Sequence, residues 1–102
     1  MRYVIGCDIG SQSLKAVLIS AEGITCGKAS ANYPIEYPQP AWAQQSPTSW
    51  MDALIRSVDS FLAHNGVNLK EIIALSPDAQ VDGVVAVDQT GQSVYPVIHH
   101  LI

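Results

Sequence analysis

Two apolar runs joined by a turn too short for a crossover constrain this chain more than any other feature. Tyr3-Val-Ile-Gly-Cys7 leads to Asp8, the polar stretch Gly10-Ser11-Gln12-Ser13 turns, and Leu14-Lys15-Ala-Val-Leu-Ile19 leaves. Parallel neighbours need a connection of about a dozen residues or more, so these runs must pair antiparallel, as a hairpin. Its tip gathers one carboxylate, one glycine, two hydroxyls and one cation. Gly10 can take a positive φ and lets backbone approach a ligand closely. Consecutive N–H groups in such a turn form an anion-binding concavity, and Lys15 supplies a counter-charge. Asp8 suits a hydrated magnesium ion, which favours one or two carboxylates together with water and phosphate oxygens. The chemistry points to a nucleotide-phosphate loop. An ordinary Asp-x-Gly turn between strands remains open beside it. The loop is neither a Walker motif nor a dinucleotide fingerprint, because Gly-Lys-Ser/Thr and a following helix are both missing.

Downstream, the pattern predicts strands over Arg2 to Cys7, Leu14 to Ser20 and Ile24 to Tyr33, the last interrupted by Gly27 and Lys28. Tyr33 to Pro47 carries Pro34, Pro38, Pro40 and Pro47, which reads as a crossing loop. A helix is then expected, with Ser46 as cap and Pro47 in its first position. Trp50, Met51, Leu54, Ile55, Val58, Phe61 and Leu62 form its apolar stripe, and Asn65-Gly66 ends it. Ile72 to Leu75 has the composition of a doubly buried parallel central strand. Gly83 to Val87 reads as another buried strand, Asp88 to Gly91 as a hairpin turn, and Ser93 to Ile98 as the last strand. The predicted order is β-β-β-α-β-β-β, an α/β fold with a mixed sheet and the helix as its crossover.

Composition enters where partners are concerned. With 48% hydrophobic and 14% charged residues, the chain can bury a core. Its net charge of −4 argues against nucleic acid or an anionic membrane as partner. Phosphate chemistry here must rest on local dipoles and a metal. No apolar run approaches the roughly 20 residues that span a bilayer, and no cleavable leader pattern is seen. Cys7 and Cys26 are too few for a disulfide framework, so reduced thiols and a cytoplasmic setting are expected, with Cys7 as a small core residue. The apolar ending at His99-His-Leu-Ile102 leads to the expectation of an N-terminal piece of a longer protein.

Several separated segments share one resemblance. Asp8-Ile-Gly-Ser-Gln-Ser-Leu-Lys15 resembles the first phosphate motif of the actin-like, ribonuclease-H-like ATPase superfamily. Trp42-Ala-Gln-Gln45-Ser-Pro47-Thr-Ser-Trp50 resembles the Trp-x-x-Gln-x-Pro-x-x-Trp segment of the FGGY carbohydrate kinases. Ala79-Gln80-Val81-Asp82-Gly83 stands where those kinases carry a Gly-Gln-containing sugar loop, and Tyr95-Pro-Val-Ile98 is similar to their Arg-Pro-Ala-Ile strand. The resemblance covers nearly the whole chain and is greatest to the xylulose-kinase branch. It implies an actin-like ATPase fold and transfer of the ATP γ-phosphate to a sugar hydroxyl, with a ketose such as xylulose as acceptor. It implies that Asp8, Gly10, Ser11, Gln12, Ser13 and Lys15 lie at ATP, with Asp8 helping to place Mg²⁺. Gln80, Val81 and Asp82 would line the sugar site. The general-base aspartate and the adenine-binding domain belong to segments outside residues 1–102, so no catalytic base is expected in this chain and the chain alone is expected to be inactive.

Departures from the family pattern bear on the substrate. Val81 and Asp82 replace a Met-His pair, and His99-His100 occupies the place of an expected Trp-x-Asp. The two histidines read as incidental, because neighbours in a strand face opposite ways. Trp42 and Trp50 read as packing anchors. The expected partners are a sugar and the rest of the protein's own chain, and a homodimer is allowed for. Two other functions stay open: an activator ATPase of the same superfamily, and a non-catalytic interaction module.

Overall fold

The computed structural model describes residues 1–40, 43–79, 83–93 and 96–99. β1 (Tyr3–Ile9) and β2 (Ser13–Ser20) form the expected hairpin, in a register that pairs Asp8 with Lys15 and Ile5 with Leu18. β3 (Thr25–Asn32) continues the meander beside β2. Gly27 and Lys28 do not interrupt it; they pair with Leu18 and Val17, and the ladder shifts register just beyond, between Leu18 and Ile19. Alternation then divides the sheet. Ile5, Cys7, Leu14, Ala16 and Leu18 are buried beneath the helix, whereas Asp8 and Lys15 stand exposed on the opposite face.

The helix α1 (Pro47–His64) lies over β2 and β3. Its buried line is Ala53, Ser57 and Phe61, spaced four residues apart, flanked by half-buried Trp50, Leu54 and Val58. Met51 and Ile55 of the predicted stripe are 56% and 53% exposed. Close approach explains the offset. β3 presents Gly27, Ala29 and Ala31 upward, and a Cβ on Gly27 would sit 2.9 Å from the Asn65 side chain. Small residues on both elements let the backbones come together, and Ser57 satisfies its buried hydroxyl on the Ala53 carbonyl, 2.9 Å away. Ser46 takes the cap position, but its hydroxyl bonds Thr48 Oγ1 rather than a free helix N–H. Gly66, at φ +65°, makes the expected left-handed exit.

After a 3-10 turn over Leu69–Glu71, β5 (Ile72–Asp78) returns parallel to β1. The parallel pairing agrees with the sequence reading; the burial does not. The sheet order is β3-β2-β1-β5, so among the described residues β5 is an edge strand, with Ile73 and Leu75 57% and 42% exposed. Its hydrophobicity is real, but α1 covers the other half of the sheet.

Three further corrections concern the remainder. The proline-rich stretch contains a short strand, β4 (Ala43–Gln45), which also bridges to Glu36. β4 joins β6 (Gly83–Val84) and β7 (Val97–His99) in a second sheet of order β4-β7-β6. The strand expected over Gly83 to Val87 is therefore brief, and Val85 and Val87 are exposed rather than buried. The strand expected from Ser93 to Ile98 is described only as Val97–His99. The turn at Asp88 to Gly91 is present: Asp88 and Gln92 close it backbone to backbone, and Gly91 has φ +86°. Both cysteines are free thiols, Cys7 buried and Cys26 exposed.

Candidate functional site

The tip of the β1–β2 hairpin is where the sequence-derived residues meet. Gly10 N–H donates to the Ser13 carbonyl at 2.9 Å, closing the turn. Gly10 is not among the positive-φ glycines, contrary to the sequence expectation. What it requires is room, since a Cβ there would lie 3.0 Å from the Ser13 carbonyl oxygen. Three groups from later in the chain hold the tip. The Tyr33 hydroxyl donates to the Gly10 carbonyl, the Tyr33 N–H to the Gln12 carbonyl at 3.1 Å, and Gln45 Nε2 to the Ser11 carbonyl. Gln45 is fully buried, and its Oε1 accepts from the Trp50 indole N–H at 3.2 Å.

This gives part of the Trp-x-x-Gln-x-Pro-x-x-Trp segment a local meaning. Gln45 ends β4, Pro47 opens α1, and Trp50 falls one helical turn later, where its indole reaches back to the amide. Trp50 thus anchors as expected, through a hydrogen bond as well as packing. Trp42 lies outside the described residues.

On the open face of the sheet the strand register aligns three charges. Lys15 on β2 pairs with Asp8 on β1, and Asp8 pairs with Asp78 on β5. All three are exposed. Two carboxylates on adjacent strands with a lysine beside them can share a hard divalent cation and offset part of a polyphosphate's charge. Asp78 escaped the sequence reading. The available signal was a carboxylate two positions before Gln80, but only the β1–β5 register sets it against Asp8.

Asp8 also acts on its neighbours. Burial, with the Asp8 charge second, raises the Cys7 thiol above its ordinary value and pushes the Tyr33 phenol up to about 12. Tyr33 therefore stays a hydrogen-bond donor across physiological pH. Between the tip and the segment after β3, a cleft of about 410 Å³ is lined by Gln12, Asn32, Tyr33, Ile35 and Tyr37. The predicted sugar contacts Gln80, Val81 and Asp82 lie outside the described residues. β5 nevertheless ends beside Asp8, so the chain enters that loop from the end of the sheet that carries the hairpin tip. His99 is in β7 of the second sheet, where it pairs with Ala43 of β4, and His100 lies outside the described residues.

A meander headed by an Asp-x-Gly hairpin, a helix crossing one face and a parallel return strand beside the first define the actin-like, ribonuclease-H-like ATPase fold. Comparison with solved structures agrees: a xylulose kinase from Rhodospirillum rubrum superposes with a TM-score of 0.82 at 25% identity, over 96% of this chain and 20% of that one. The model for the N-terminal domain of the FGGY family of carbohydrate kinases matches residues 3–101, and the chain belongs to that family. Among curated relatives, the xylulose kinase of Bacillus subtilis (strain 168) is 30% identical over 92 residues, 90% of this chain and 18% of that protein. The glycerol kinase of Symbiobacterium thermophilum is 33% identical over 97 residues, 94% of this chain and 20% of that protein. The chain thus spans about a fifth of the length of the curated relatives it matches.

Proposed function

We propose that this chain is the N-terminal part of an ATP-dependent kinase that phosphorylates a hydroxyl of a small sugar, a ketose such as xylulose, and that it contributes the phosphate loop. The observation that carries the reading is the hairpin tip. Three of its carbonyls are tied back into the protein, and the Lys15–Asp8–Asp78 row stands on the adjoining face. That donor set fits magnesium and a nucleotide tail. When bound, Mg·ATP supplies the transferable phosphoryl group and neutralises developing charge. Asp8, with Asp78 beside it, would hold the hydrated cation, while Gly10, Ser11, Gln12, Ser13 and Lys15 would orient the phosphates. Gln80, Val81 and Asp82 are assigned to the sugar, consistent with the direction in which the chain leaves β5. Phosphoryl transfer depends mainly on positioning and charge stabilisation, which is the work these groups can do. The general base and the adenine pocket are assigned to the rest of the protein. Exposed apolar residues at Met51, Ile55, Ile73 and Leu75 support the view that further structure covers this domain.

The deciding experiment is ATP-dependent phosphorylation by the intact protein, screened over pentuloses, hexuloses, glycerol and other polyols. Transfer to a ketose supports the full reading. Preference for glycerol moves the substrate to the branch represented by the Symbiobacterium relative. ATP hydrolysis without any sugar acceptor favours an activator ATPase instead, and absence of nucleotide binding leaves the interaction module.

A further inference from the structure

The hairpin tip is fixed by parts of the chain that contact no substrate in the reading above, and the pattern of that fixation has a direction. In a planar trans peptide the carbonyl oxygen and the following amide hydrogen point to opposite sides, and the described peptides contain no cis bond. The Gly10 carbonyl is bound by the Tyr33 hydroxyl, the Ser11 carbonyl by Gln45 and the Gln12 carbonyl by the Tyr33 amide. Three consecutive peptide planes are therefore set with their oxygens toward the body of the protein. Their amide hydrogens, on Ser11, Gln12 and Ser13, are turned the other way. Neither the Ser11 nor the Gln12 amide has an acceptor among the described residues.

We infer that Tyr33, Gln45 and Trp50 form a clamp of positioning residues that sets the polarity of the phosphate loop. This rests on the reading of the tip as a phosphate site. Without the clamp, each peptide at an exposed tip could rotate to present its carbonyl outward, and an outward carbonyl repels a phosphate oxygen. Trp50 gives the clamp its sense. An indole N–H can only donate, so it selects the Gln45 rotamer in which Oε1 faces Trp50 and Nε2 faces the Ser11 carbonyl. The flipped amide would oppose oxygen to oxygen at the loop and nitrogen to nitrogen at the indole. Complete burial of Gln45 makes that error costly, since no water can repair it. Tyr33, also buried, anchors two of the three planes from one residue.

The test uses the intact protein, its Tyr33→Phe, Gln45→Met and Trp50→Phe variants, and two readouts. Exchange of the two amides whose hydrogen bonds close the tip, those of residues 10 and 33, should speed up roughly 10-fold in each variant, with exchange in the core of β1 and β2 unchanged. Affinity for tripolyphosphate and for Mg·ATP should fall roughly 10-fold, while KM for the sugar stays within about twofold. Trp50→Phe removes the indole N–H together with the five-membered ring but leaves Tyr33 and Gln45 in place, so it serves if either of the others fails to fold. Unchanged exchange at the tip overturns the clamp. Faster exchange with undiminished polyphosphate binding overturns its positioning role and leaves only a structural one. Failure of the wild-type protein to bind tripolyphosphate or Mg·ATP would instead sink the phosphate-loop reading itself, and the clamp's assigned purpose with it.

Discussion

Replacing Tyr33 by phenylalanine removes one oxygen from a buried ring and should leave a signature in the pH dependence of stability. Tyr33 is 7% exposed, and its hydroxyl donates to the Gly10 carbonyl. Near neutral pH the variant leaves that carbonyl without this donor, at a cost of about 1–2 kcal/mol. At high pH the balance reverses. Burial, assisted by Asp8, raises the Tyr33 phenol from 10.0 to about 12 in the folded protein. The folded state thus holds the proton more tightly than the unfolded chain. The associated stability is full below pH 10 and is lost as pH rises toward about 12, where ionising a buried phenol opposes folding. That rise corresponds to about 3 kcal/mol. The wild-type advantage should therefore shrink above pH 10 and vanish or invert near pH 12. Urea denaturation of both proteins, measured in parallel from neutral to strongly alkaline pH, gives the difference directly. Groups common to the two proteins cancel in the comparison. Parallel stability curves across that range would show that Tyr33 is not buried as a donor, and the reasoning about the tip would fail with it.

Three other outcomes follow from the geometry. Asp8→Ala should leave the fold intact, because the side chain is exposed, but lower phosphoryl transfer by the intact protein on the order of 100-fold; unchanged turnover counts against the metal role. Gly27→Ala should cost no more than about 1 kcal/mol, because the new methyl meets only the end of the exposed Asn65 side chain and displaces its bond to the Cys26 carbonyl, and the loss should vanish in the Gly27→Ala/Asn65→Ala double variant when melts of all four proteins are compared. Glu71 is held below the usual carboxylate range by the Asn68 N–H, which it accepts at 2.9 Å, and by the N-terminal ammonium at 3.2 Å. Its contribution is present above the unfolded carboxylate's pKa and is lost as pH falls through the lower folded value, so Glu71→Gln should flatten the acid limb of the stability curve.

Local chemistry made much of this protein legible in one dimension. The five or so polar residues between two apolar runs admit only a hairpin, so the antiparallel pairing of β1 with β2 was legible in the sequence, whereas the register that sets Asp8 opposite Lys15 was not. Pro47 and Asn65-Gly66 bracketed α1, and Asp88-Gln-Thr-Gly91 marked a turn, because each places a residue whose own backbone preferences select the conformation. Periodicity failed where another element decides which face is covered. The largest apolar residues of α1 suggested a stripe through Met51 and Ile55, yet the small side chains of β3 draw in Ala53 and Ser57 instead. Ile72 to Leu75 has the hydrophobicity of a central strand, and its place at the sheet edge is a fact about what lies beside it. Likewise nothing near Gln45 announces that it is buried against Ser11, and nothing near Asp78 announces Asp8. Turns and amphipathic faces are set by neighbours within a few residues. Strand order, register across a long crossover, and the burial of one amide under a distant loop exist only once the chain has closed on itself.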